Sequence, residues 1–309
     1  MHLPPARRGL LCAAAFIAAC GCARHTARVP TAQAAPAAPP SVRPAGDRSL
    51  PPSADDHSLP PGVDLSKLDD FGRKVFFRVV RSESSACGKG ESLLDSAKHD
   101  GACRASFYAL RYVARLVDSG YTDSEIAEKL VKRFRSGRHP HIDVSGAPVK
   151  GNPSARVTVV EFVDYECPHC RHAQELLHRL VEEYPDDAKV YYKHYPLTSH
   201  PNSRLAAEAA VAAHKQGKFW PYNEGVWAVS ANLGPALLEK IAKEVGLDMA
   251  RWRADKDSDA VRERVQDDKS DGDGLGLQGT PTIYINGRKY DDPLESSSLK
   301  DWIDEELGR

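Results

Sequence analysis

Three things are scarce in this sequence, and each shortage excludes a class of function. Apart from the N-terminus, no apolar run is long enough to span a bilayer as a helix, which takes about 20 residues. No charge of one sign dominates, since 42 Lys and Arg offset 43 Asp and Glu for a formal net charge of −1. A chain without a basic face lacks the electrostatic footprint of nucleic-acid binding, so no nucleic-acid partner is expected. Cysteine is sparse too. One close pair stands out, Cys167-Pro168-His169-Cys170, and no second Cys-x-x-Cys completes the four-ligand set of a structural zinc. His194, His200 and His214 have no metal-ligand spacing, so neither a metal nor a bound cofactor is expected.

The cysteine pair follows an apolar run, Val157 to Val163, and opens a helical pattern. A helix N-terminus carries partial positive charge and unpaired N–H groups, which favour a thiolate at Cys167. Pro168 suits the first helical turn and has no N–H to leave unpaired. His169, when protonated, adds positive charge. Cys170 is near enough to close a disulfide with Cys167 or to resolve a mixed one. Taken alone, the motif fits redox chemistry, half of a zinc site or a plain structural bridge. The missing ligands favour the first.

The seven cysteines are Cys12, Cys20, Cys22, Cys87, Cys103, Cys167 and Cys170. Arg7 and Arg8 precede an apolar segment from Leu10 to Ala19, which is too short for a membrane span and has the layout of a secretory signal. Its end, Ile17-Ala18-Ala19-Cys20, resembles a bacterial lipobox. That resemblance implies cleavage before Cys20 and lipidation of its sulfur. The alternative is an ordinary signal peptide that leaves Cys20 and Cys22 as free thiols. Either way residues 1–19 predict an exported protein of the bacterial cell envelope or periplasm, where disulfides persist. A lipid at Cys20 would anchor it to a membrane. Residues 20–62 are rich in Ala and Pro with few large apolar residues, the composition of a disordered tether.

Residues 63–140 predict a small all-α segment of three helices. Leu65, Leu68, Val75, Phe76 and Val79 form one helical stripe, Phe107, Leu110, Ala114 and Val117 a second, and Ile126, Leu130 and Phe134 a third. Thr122-Asp123-Ser124-Glu125 reads as a capping box. Cys87 and Cys103 are expected to staple this segment, worth on the order of 3 kcal/mol in the chain-entropy model. The functional alternative is a second redox pair that relays electrons to Cys167. Residues 136–156 read as a linker.

From about 150 to 309 the order is strand, helix, strand, helical insertion, strand, Asn286-Gly287 hairpin, strand, helix. Val157 to Phe162 is the apolar central strand, interrupted by Glu161. The whole chain is thus expected to be an α/β protein, a thioredoxin fold with a helical insertion, preceded by the helical segment and the tether. Glu161 to Cys170, with Tyr195-Pro196-Leu197, Lys218-Phe219-Trp220 and Gly279-Thr280-Pro281-Thr282, resembles the DsbA-type thiol:disulfide oxidoreductases. The resemblance covers 150–309, half of the chain.

The resemblance implies a nucleophilic, exposed Cys167 and a buried, resolving Cys170. It also implies a cis Thr280–Pro281 bond in a peptide-binding loop facing the pair, and a buried acid at Glu161 that accepts the Cys170 proton. The other reading of Glu161 is an ion pair with a lysine such as Lys193. Glu166, beside Cys167, is expected to raise the thiol pKa. The implied activity is disulfide exchange with cysteine-containing exported proteins, as an oxidase, with a membrane redox partner that recycles the pair. An isomerase, a reductase and a redox-inactive peptide-binding chaperone are the alternatives.

Overall fold

The structure, a computed structural model, describes residues 57–309 apart from 136, 138 and 230–232. The expected signal, the expected lipidation site at Cys20 and the expected tether as far as residue 56 lie outside the described residues. The described chain falls within one compact unit, Asp56–Arg309.

Helix α1 (Asp70–Ser82) is capped by Asp69, whose side chain accepts from the Gly72 N–H. Leu65 and Leu68 are buried but precede this helix rather than extending it. A short helix α2 (Leu93–His99), not foreseen from the pattern, fills the loop closed by the Cys87–Cys103 disulfide. Helix α3 (Arg104–Asp118) follows, then α4 (Asp123–Leu130), which the Thr122/Glu125 capping box starts and a π-helical turn (Val131–Arg135) ends. The segment therefore holds four helices where three stripes were legible. Seven residues are too few for α2 to show a period of its own.

Strand β1 (Val149–Gly151) lies in the stretch that read as a linker. Its three residues pair antiparallel with β3 (Ala188–His194), and only that pairing makes them a strand. Strand β2 (Val157–Val163) is the centre of the sheet, flanked by β3 in parallel and by β4 (Thr282–Ile285) antiparallel. With β5 (Arg288–Lys289) the order is β1-β3-β2-β4-β5. Asn286 and Gly287 turn β4 into β5 with φ of 46° and 80°, the left-handed pair this hairpin turn requires. A side chain at Gly287 would also meet the Pro140 carbonyl, at 2.7 Å.

Helix α5 (Pro168–Glu183) and helix α11 (Ser296–Leu307) cover one face of the sheet, where Val157, Val159, Val190, Ile283 and Ile285 meet Leu176, Leu177, Trp302 and Ile303. Alternation along β2 places Glu161 on that same face. Between β3 and β4 the insertion comprises α6 (Ser203–His214), α7 (Phe219–Val229), α8 (Pro235–Glu244), α9 (Met249–Lys256) and α10 (Asp259–Gly274). Its apolar side packs behind the cysteine pair, in one cluster with Tyr165, Cys167, Cys170 and Tyr192.

The helical segment is bolted to the C-terminal end of the chain by buried ion pairs. Arg115 reaches Asp292 at 2.5 Å and Asp301 at 2.6 Å, and Arg133 reaches Asp292 at 2.9 Å and Glu305 at 3.0 Å. The Tyr112 hydroxyl donates to Asp291 at 3.0 Å. No helix among the described residues is long and apolar enough to cross a membrane.

Candidate active site

The end of β2 delivers the chain into a tight turn, and the turn delivers Cys167 to the start of α5. Asp164 ties that turn down. Its buried carboxylate accepts the Glu166 N–H at 2.8 Å and the Leu197 N–H at 2.7 Å, and lies 2.9 Å from His200 Nδ1. Asp164 and His200 escaped the sequence reading as site residues. Cys167 is the N-cap of α5 and Pro168 its first residue, and the first turn carries no acidic side chain. The helix's positive end therefore bears on Cys167 with no acidic side chain in that turn.

Cys167 and Cys170 are both free thiols. Cys170 is fully buried. Cys167, expected to be exposed, is only 5% exposed, because it sits in the apolar cluster behind the turn and donates its thiol hydrogen to the Thr280 carbonyl at 3.2 Å. The Thr280–Pro281 peptide is cis and leads directly into β4. The loop before β4 thus closes over the first turn of α5, bringing Thr280 and Pro281 to the cysteine pair.

The environment separates the two thiols. Cys167 is brought down to about 5, first by the Cys170 thiol hydrogen-bonded to it, then by the Thr280 side chain and the backbone N–H groups of Cys170 and His169, against the opposing effect of burial. Cys170 is driven far up, mainly by burial, then by its neighbour Cys167 and by the charge of Glu161. One sulfur is built to be a thiolate and the other to hold its proton.

Glu161 is fully buried. Burial, and to a smaller extent the Cys167 charge, raise it to about 8 against the downward pull of the Gln174 side chain. One carboxylate oxygen accepts from the Gln174 amide, and the other, Oε1, is buried with no hydrogen-bond partner. Lys193 does not pair with it. That lysine projects from the opposite face of β3 and binds Asp268 at 3.2 Å and Asp271 at 2.5 Å. Glu166 also departs from expectation. Its carboxylate accepts the Asn202 N–H at 2.7 Å and the Asn202 side chain at 3.3 Å, so it is engaged by Asn202 beside the cysteine pair.

Gln174 was missed, although a polar residue four positions after Cys170 on a buried stripe was a visible sign. Cys87 and Cys103 form a disulfide in the helical segment, with neither sulfur joined to the cysteine pair. Among the described residues, no cluster of His, Cys, Asp or Glu could hold a metal ion.

A family model described as thioredoxin matches residues 143–305. Among solved structures, a thioredoxin-like oxidoreductase from Silicibacter pomeroyi superposes with a TM-score of 0.50 at 33% identity, covering 53% of this chain and 94% of that one. BdbD from Bacillus subtilis, in its oxidised form, gives a TM-score of 0.51 at 26% identity, covering 55% and 98%. Among curated proteins, the Na(+)/H(+) antiporter NhaA of Herminiimonas arsenicoxydans is 37% identical over 150 residues, 48% of this chain and 24% of the antiporter. The chain spans about a quarter of the length of the curated relatives it matches. Since the thioredoxin match runs over half of the chain, and the strand order and the place of the cysteine pair agree with it, this chain is a DsbA-like member of the thioredoxin superfamily.

Proposed function

We propose that the chain is an exported thiol:disulfide oxidoreductase that acts on protein cysteines through Cys167 and Cys170, in the direction of an oxidase. The observation that carries this reading is the asymmetry of the two thiols: Cys167 caps the N-terminus of α5 with no acid in its first turn, whereas Cys170 is fully buried, which brings the first down to about 5 and drives the second far up. In the oxidised protein, a substrate thiolate attacks Cys167 Sγ and breaks the Cys167–Cys170 bond. Cys170 leaves with the bonding electrons and takes a proton. A second substrate thiolate then attacks the substrate sulfur of the mixed disulfide and expels Cys167 as a thiolate. Two electrons pass from the substrate dithiol to the cysteine pair. A leaving thiolate as stable as that of Cys167 favours the reduced protein, which makes its disulfide an oxidant.

In this reading Glu161 supplies and takes back the Cys170 proton through Oε1. Thr280 and Pro281 present backbone groups to an extended substrate, and Pro168 and His169 shape the first turn. Residues 63–140 ride on the catalytic domain, 150–309, with Cys87–Cys103 as their staple. The signal and the lipobox-like Cys20 support export and a membrane anchor in the cell envelope, where a membrane redox partner would reoxidise the pair. Sodium–proton exchange belongs to the antiporter relatives by name and is not carried over from a match to a quarter of their length.

The test is the reduction potential of the full chain in glutathione buffers. About −120 mV, the oxidising end of this superfamily, is expected, and about −270 mV would overturn the oxidase direction in favour of a reductase. No exchange with a dithiol substrate would sink the enzyme reading and leave a peptide-binding module.

A further inference from the structure

A line of buried polar side chains runs from the helical insertion to Glu161. The Trp227 indole N–H donates to the Tyr192 hydroxyl at 3.2 Å, and the Tyr192 ring packs against the Tyr165 ring with centroids 6.0 Å apart. The Tyr165 hydroxyl donates to Asn223 Oδ1 at 2.8 Å, and the Asn223 amide donates to Gln174 Oε1 at 3.3 Å. The Gln174 amide then donates to Glu161 Oε2. All of these side chains are buried. They come from α7, β3, the turn before Cys167, and α5, so no single element accounts for their alignment.

The acid at the end of the line dictates its direction. A carboxylate can only accept. With Glu161 ionised, Gln174 must turn its NH₂ toward the acid and its oxygen toward Asn223. Asn223 must then turn its NH₂ to Gln174 and its oxygen to Tyr165. Every link points the same way, and each donor is polarised by the one behind it. The line binds Oε2 alone, leaving Oε1 buried and unpartnered.

We infer that Tyr165, Asn223 and Gln174 are positioning residues, a one-way donor chain that steadies the ionised form of Glu161 and keeps Oε1 as the oxygen that takes the Cys170 proton. The inference deepens the oxidoreductase reading and rests on it. It also gives the insertion a part in the chemistry, since α7 supplies Asn223. Around Glu161, the start of α5 presents Cys167 and Cys170, the turn presents Tyr165, and β3 presents Tyr192. Strand β4 presents the apolar Ile283, and α7 the neutral Asn223. No lysine or arginine competes with the chain for the carboxylate, because Lys193 lies on the opposite face of the sheet.

The experiment follows Glu161 itself. Reduced full-chain protein, ¹³C-labelled at the glutamate carboxyl carbons, is titrated by NMR, and the Glu161 resonance is identified by its loss in Glu161→Gln. The parent midpoint is expected near 8. Gln174→Leu removes the one donor to the acid among the described residues and is expected to raise the midpoint by about one to two pH units, the worth of a hydrogen bond to a charged group. Tyr165→Phe removes one hydroxyl, with the ring kept, and is expected to raise it by about half a unit through polarisation alone.

In the double variant, Tyr165→Phe adds nothing, because Gln174→Leu has already cut the chain. The pH of half-maximal resolution of a mixed disulfide at Cys167 should move in step. A Tyr165→Phe midpoint equal to the parent's overturns the proposal, and so does a Tyr165→Phe shift that adds in full to Gln174→Leu. Should Gln174→Leu fail to fold, Asn223→Leu cuts the chain one link further back and decides in the same way. A parent protein that exchanges no disulfides overturns the enzyme reading alone, and the midpoints still decide whether the chain acts on Glu161.

Discussion

Among the buried carboxylates of this molecule, Glu161 and Asp292 have surroundings that could hardly differ more. Glu161 sits under the cysteine pair with one neutral amide for company. The Asp292 carboxylate sits at the seam between the helical segment and the C-terminal helix. It is met by Arg115 at 2.5 and 2.8 Å, by Arg133 at 2.9 Å and by the Trp302 indole at 3.4 Å. Arg133 is in turn stacked over the Trp302 ring at 4.1 Å and the Tyr112 ring at 4.6 Å.

A buried charge with two guanidinium partners has its lost hydration replaced, so it can stay charged and clamp two parts of the fold together. A buried acid with only an amide beside it is poised between its two forms near neutral pH, which is what moving a proton requires. The same chemical group thus serves as a clamp in one place and as a proton store in the other, and the difference lies in the neighbours. The comparison also says where stability and reactivity are held: the seam should govern the first and the cysteine pair the second.

The largest effect should come from removing the poised acid. The folded protein holds Glu161 near 8, above the 4.5 of an unfolded glutamate. Below pH 4.5 neither state is ionised and the acid costs nothing. As pH rises from 4.5 to 8 the unfolded chain ionises first, so the penalty grows and then levels off. Glu161→Gln should therefore raise stability at pH 9 over its effect at pH 5 by roughly 4 kcal/mol, seen in urea denaturation, while slowing resolution by Cys170. An equal effect at both pH values would break the comparison.

Arg133→Met should do the reverse, costing on the order of 3 kcal/mol because it strips one partner from buried Asp292, and leaving the exchange rate unchanged. Replacing Cys87 and Cys103 with serine should cost about 3 kcal/mol through loop entropy, again without loss of exchange. A fall in exchange rate in that variant would revive the idea of a relay pair. The smallest effect should be that of Glu166→Gln, since Asn202 already occupies that carboxylate. The alkylation midpoint of Cys167 should stay within about 0.3 pH units of the parent's, a small fraction of the shift a neighbouring charge produces.

Much of the site was legible because its signals are local. The run from Val157 to Val163, the cysteine pair at the next helix and the Asn286-Gly287 turn each carry their conformation within a few residues. What stayed hidden depends on partners far along the chain. Val149–Gly151 is a strand only by pairing with Lys189–Tyr191. Arg133 looks like a solvent-facing charge at a helix end until Asp292 and Glu305 close over it. The donor chain to Glu161 joins Tyr165, Asn223 and Gln174, of which only the polar Gln174 on the α5 stripe gave any local sign. The exposure expected for Cys167 failed for the same reason, since the insertion that covers it lies dozens of residues downstream.

The most direct measurement is the rate of Cys167 carbamidomethylation in the reduced full chain as a function of pH, with each cysteine followed by peptide mass spectrometry. The expected result is a half-maximal rate near pH 5 for Cys167 and no appreciable labelling of Cys170 across the neutral range. A Cys167 midpoint near 9, the ordinary value for a thiol, would contradict the asymmetry on which the proposed function stands.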